Sequence, residues 1–197
     1  MERKELEAAA TQVTYLRGLL AIPIGMLFII TGLGNLRWGP LWNPLVFLGF
    51  LLVLGAAWLG INRYYNDHYG RVTRSHRQQL RYTIASFILF PAAMIGGPIL
   101  DASVDLPVSA FAAAFALAML AWFAICVGLR MRHLIIWGAL LVAGLLPVWE
   151  AMADKISVAW LPIGVATIAA GILDHRALVR AYGPAKDLNH ESSDVAA

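Results

Sequence analysis

The sequence predicts an all-α integral membrane protein: a six-transmembrane-helix bundle over residues 1–183, with the N-terminus and C-terminus both cytoplasmic, and a mobile cytoplasmic tail over 184–197. Three observations carry this. The 197 residues are 60% hydrophobic and 14% charged, against roughly 45–50% and about 25% in an ordinary soluble domain. The mean hydropathy of +0.69 is more apolar surface than a soluble core uses. The charges are clustered, and the stretches between them are of the order of the ~18 apolar residues that read as a bilayer span.

Six spans follow, over 18–36, 41–62, 82–100, 106–129, 134–149 and 156–173. Before the first stand Glu2, Arg3, Lys4, Glu5 and Glu7, too acidic a lead for a cleavable signal, so the first helix is expected to stay in the mature protein. The third contains Pro91 and runs into Gly96-Gly97-Pro98, a sequence that either bends the helix or forms a re-entrant break. The fifth is short and stops at Leu146-Pro147-Val148-Trp149, so it borrows flanking residues or thins the bilayer locally. Pro23, Pro91 and Pro162 each remove a helix hydrogen bond inside a span and bend its axis.

In lipid, helices associate through close approach at small residues. Ala110, Ala114 and Ala118, followed by Ala124 and Gly128, place the fourth span at the centre of the bundle. Ala56/Gly60, Ala139/Ala143 and Ala166/Ala170 are similar pairs. Ordinary packing is the expected role, and a homodimer face is the alternative.

Six spans put Arg3, Lys4, Arg17, the five arginines of 63–81, Arg130, Arg132, Arg176, Arg180 and Lys186 on one side, and only Arg37 and Lys155 on the other. The positive-inside rule makes the rich side cytoplasmic and the protein a multi-pass component of the plasma membrane. Five or seven spans would mix the two groups. No ionisable residue falls in the middle of a span, which argues against proton relays, ion-coupled carriers and retinal attachment. Cys126 is the only cysteine, so an intrachain disulfide and CxxC chemistry are excluded.

The most distinctive cytoplasmic segment is 63–81. Arg71, Arg74 and Arg77, with Arg81 four residues on, would form one basic stripe on a short helix after Gly70, while Arg63, Tyr64, Tyr65 and Tyr69 suit the membrane interface. The expected role is docking to anionic headgroups, worth about 1 kcal/mol per basic residue, or to a cytoplasmic protein partner. Nucleic acid is not an expected partner, because one short stripe has no fold to place it in a groove.

A second, interfacial set comprises Asp67, His68, His133, Asp174, His175 and Arg176, all at cytoplasmic helix ends. No HxxxH or HExxH pair puts two ligands on one helix face, so no metal or cofactor is expected. Asp174 and His175 are adjacent, and neighbours on a helix point about 100° apart, so they do not naturally orient one another.

No motif identifies a family. The reading is a membrane subunit of a transport or regulatory assembly: a small permease, a substrate-capturing component or a partner-docking module. One alternative is an intramembrane enzyme acting on a lipid or other hydrophobic substrate at the cytoplasmic interface. Another is a small channel, for which Thr31, Thr83, Ser86, Ser109 and Thr167 are the scattered polar lining available.

Overall fold

The computed structural model describes residues 16–69, 76–104, 106–150, 152 and 154–183, and their regular structure is all helical. Arg71, Arg74, the charged lead and the tail lie outside the described residues. A short turn over Gly18–Leu20 leads into α1 (Ala21–Asn35). It is followed by α2 (Pro44–Tyr69), α3 (His76–Ser103), α4 (Ala110–Cys126), α5 (Met131–Leu145) and α6 (Lys155–Tyr182).

Four of these are long and apolar enough to cross a membrane: the first from Gly18 to Asn35, then α2, α3 and α6. The other two are apolar but shorter, 17 residues in α4 and 15 in α5. At 1.5 Å per residue they reach roughly 26 and 22 Å, less than the ~30 Å hydrocarbon core. The sequence had placed the end of the second span at residue 62. Helix α2 instead continues to Tyr69, because the polar run 63–69 holds no Gly or Pro to stop it, and Tyr65 gives its last turns a buried anchor.

The closest helix pair is α1 with α6. Gly18, Gly25 and Gly32 recur at seven-residue spacing in and before α1, and face Gly171, Gly164 and Ser157 of the antiparallel α6. A Cβ on Gly25 would lie 2.6 Å from the Gly164 carbonyl oxygen, and one on Gly32 would lie 2.8 Å from the Ser157 oxygen. Only glycine lets backbones come this near, and a seven-residue repeat keeps the contact on one seam. Ala166 and Ala170 are buried, as their spacing suggested, whereas Gly60 on α2 meets open space.

Helices α4 and α5 form the second pair. The Gly144 Cα approaches Ala112 and Ala113, and its carbonyl accepts the Ser109 N–H at 2.8 Å. Two unsatisfied N–H groups at the start of α4, on Ala110 and Phe111, donate to Asp101 of α3 at 2.6 and 2.9 Å, where the positive end of the helix dipole favours a carboxylate. Helix α4 is central, as expected, but through a different face. Of the alanines at 110, 114 and 118 only Ala118 is buried, while Phe111, Ala112, Phe115 and Ala116 fill the core.

In α3, Pro91 has no N–H to return to the preceding turn, and a π-helical turn over Ala92–Gly96 follows it. The helix then runs through Gly97-Pro98 to Ser103, so the glycine-proline run stays helical and forms no re-entrant break. Gly97 packs against Phe111, whose Cα would lie 2.7 Å from an added Cβ.

Helix α2 stands apart. Tyr65 is its one buried residue among those described, and Leu45, Leu52, Val53 and Leu59 are each at least 60% exposed. It packs on α1 and not on α3, its neighbour in sequence. Among the described residues α1 and α3 make no substantial contact with each other and face one cavity.

Candidate ligand cavity and ion-pair cluster

One end of the bundle gathers Arg17, Arg63, Arg77, Arg81, Arg130, Arg132, Arg176 and Arg180, at the start of α1, α3 and α5 and the finish of α2, α4 and α6. Asp174 of α6 lies buried there, and its Oδ1 accepts from Arg132 Nε at 2.7 Å and from His133 Nε2 at 3.1 Å. Both donors sit in the first turn of α5, whose dipole also favours a carboxylate. The His133 ring is 1% exposed and stacks on Phe123 with centroids 3.8 Å apart. Its Nδ1 has no partner among the described residues.

His175 serves a different neighbour, as the 100° step between adjacent helix residues requires. Its Nδ1 is 3.0 Å from the Tyr65 hydroxyl, which also accepts the Leu19 N–H at 3.1 Å. Arg17 lies over the Tyr65 ring, 5.8 Å from its centre, and donates from Nη1 to Asn66 Oδ1 at 2.9 Å. Gly18 makes room for this junction, because a Cβ there would lie 2.7 Å from the His175 nitrogen and 2.8 Å from the Asp174 Cβ.

Between these groups and the bundle centre lies a cavity of about 490 Å³, within the ~300–1,000 Å³ typical of small-molecule sites. Its walls are aromatic and apolar: Phe28 from α1, Phe90 from α3, and Phe115, Met119 and Trp122 from α4. Arg17 and Asp174 line its polar end. Trp137 of α5, one turn beyond His133, also lines it, and its indole Nε1–H finds no acceptor among the described residues. The Thr167 hydroxyl donates to the Ile163 carbonyl at 2.8 Å and keeps its lone pairs. Both hydrogen bonds to Asp174 fall on Oδ1, so Oδ2 keeps its lone pairs. Among the described residues no direct packing of α1 on α3 closes the cavity wall between them.

Of the interfacial set, His133 meets Asp174, His175 turns to Tyr65, and Asp174 alone lines the cavity. Asp67 is exposed, and His68 turns back on its own helix, with Nδ1 donating to the Tyr64 carbonyl at 2.9 Å. Arg176 is exposed on the other side of α6. Of the headgroup-docking set, Arg63, Arg77 and Arg81 are exposed and Tyr64 and Tyr69 half-buried. Tyr65 is fully buried, so its place is in packing and not at a headgroup. Among the described residues no three His, Cys, Asp or Glu side chains converge as a metal site. Sequence reasoning missed Arg17, Arg132 and the aromatic wall as site residues. The seven-residue glycine spacing that juxtaposes α1 and α6 was the available signal.

Comparison with protein-family models, with curated proteins and with solved structures gave no match for the chain.

Proposed function

We propose that this chain is a six-span plasma-membrane protein, basic end cytoplasmic, that captures an amphipathic, lipid-like molecule and holds it among its helices. The observation that carries this is the cavity: aromatic and apolar over most of its wall, with Arg17 and Asp174 at the basic end and, among the described residues, no direct packing of α1 on α3 to close it. A tail enters sideways from the bilayer, and a head hydroxyl donates to Asp174 or a head oxygen accepts from Trp137. Such a head satisfies a buried indole donor that is otherwise costly to leave unpaired. The clustering of arginines at one end supports the cytoplasmic orientation of both termini. Helices α4 and α5, too short to span alone, cross with the help of their flanking residues and their packing within the bundle. This is the substrate-capturing role within a transport or regulatory assembly, made specific.

A second reading, chemistry on the captured lipid, rests on Asp174. It lines the cavity, is oriented by Arg132 and His133, and presents an unused Oδ2, the arrangement of a positioned general base.

Native mass spectrometry of the full chain in a mild detergent tests the capture reading. The wild type is expected to retain a non-protein mass of one chemical class, and Met94→Trp/Met119→Trp, which fills the cavity, to lose it while staying folded. Equal retention by both proteins, or none by either, would count against it.

A further inference from the structure

A second cleft, sharing no lining residue with the cavity, lies between the start of α5 and the last turns of α6. It encloses about 420 Å³ and is lined by Arg132, Arg176 and Arg180, with Leu173, Ala177 and Ala181. Arg176 and Arg180 are one turn apart and so share a face of α6. Arg132 reaches the cleft from the neighbouring helix. Its Nε is committed to Asp174, which leaves the rest of the guanidinium fork for another acceptor. No acidic side chain lines the cleft, and neither Arg176 nor Arg180 has an acidic partner among the described residues. Three cations converge here around a floor made open by two alanines. Leu173, itself exposed, gives the cleft an apolar border.

We infer that this cleft binds a phosphate group, with Arg132, Arg176 and Arg180 as its ligands. Guanidinium forks match the geometry of phosphate oxygens, and like-charged side chains one turn apart repel unless an anion lies between them. Basic pockets between membrane helices at the cytoplasmic surface are the usual seat of anionic lipid headgroups. The same oxygens are carried by a soluble phosphorylated compound. Arg132 lines the cleft and also holds Asp174, which lines the cavity, so the two sites are linked through one ion pair.

Native mass spectrometry of the full chain titrated with phosphatidylglycerol or phosphatidylcholine tests this, alongside Arg176→Gln/Arg180→Gln and, as an equal loss of charge elsewhere on the same end, Arg77→Gln/Arg81→Gln. At about 1 kcal/mol per basic residue, loss of two arginines is expected to weaken phosphatidylglycerol binding about 30-fold. Phosphatidylcholine binding should stay unchanged, and the Arg77/Arg81 variant should retain most of its affinity. Ala181→Trp, which fills the cleft and keeps the arginines, should also weaken binding and covers the case in which the double variant does not fold. Phosphatidylglycerol binding that is insensitive to inorganic phosphate assigns the site to a lipid headgroup. Displacement by inorganic phosphate in the wild type assigns it to a soluble phosphorylated ligand. Equal phosphatidylglycerol affinity in the Arg176/Arg180 variant and the wild type would overturn the proposal, as would an equal loss in the Arg77/Arg81 variant. The Arg176/Arg180 variant leaves Arg132, Asp174 and every residue lining the aromatic cavity in place, so this inference and the capture reading fail separately.

Discussion

Gly25 and Gly164 face each other across the α1–α6 crossing so that a Cβ on either would lie 2.6 Å from the other's carbonyl oxygen. The relation is reciprocal in detail. Each also looks onto the isoleucine four residues beyond its counterpart, Ile168 for Gly25 and Ile29 for Gly164, at 2.6 Å from Cγ1. The crossing thus has local two-fold character, and it sets how close Arg17 and Gly18 come to Asp174 and His175.

Gly164→Ala should therefore force the two backbones apart and destabilise the fold by about 1–3 kcal/mol, the usual cost of overpacking. Gly55→Ala on α2, where an added Cβ meets open space, should cost nothing and can gain up to ~1 kcal/mol from helix propensity. Thermal unfolding of the two variants in detergent checks the difference in sign.

Asp174→Ala should remove the acceptor that Arg132 and His133 share. Breaking a buried ion pair from one side costs about 3–5 kcal/mol, and because Arg132 keeps some exposure the lower figure is expected. Asp174→Asn keeps an acceptor oxygen and should lose less. Denaturation of the two variants against the wild type measures the order.

Tyr65→Phe should loosen α2. The hydroxyl is the link from this helix to the Leu19 amide and to His175, and an unsatisfied buried N–H costs about 1–3 kcal/mol. Hydrogen exchange at Leu19 and through residues 61–69 should accelerate in the variant, with α4 and α5 unchanged.

Much of the fold could be read from hydrophobic length and charge. The apolar segments, the irregular turn after Pro91 and the short fifth helix follow from residue type and spacing, whereas the fourth packs through Phe111, Ala112, Phe115 and Ala116 and not through the alanine series that drew attention to it. The extension of α2 to Tyr69 was hidden because a polar segment carries no hydropathy signal, and only the burial of Tyr65 shows where its backbone goes. The site was legible in part. His133, Asp174 and His175 stood out as titratable groups at helix ends, but which of them meet depends on how far each helix rotates about its axis. That rotation is fixed by Gly18, Gly25 and Gly32 against Gly171, Gly164 and Ser157. Phe115 and Trp137 looked like ordinary apolar residues, and the cavity they line is faced by both α1 and α3, which make no substantial contact with each other among the described residues.

The orientation is open to a direct check. In a Cys126→Ala background, Arg37→Cys should react with a membrane-impermeant maleimide on intact cells, and His76→Cys only after permeabilisation. The reverse pattern would invert the bundle.

The central claim is that a lipid-like molecule occupies the aromatic cavity. Its most direct measurement places a photo-crosslinking amino acid at Phe115, inside the cavity, and in a separate protein at Leu52, on the exposed face of α2. After irradiation in native membranes, the account predicts one dominant lipid class attached at position 115 and the bulk phospholipid mixture at position 52. The same mixture at both positions, or no adduct at 115, would contradict it.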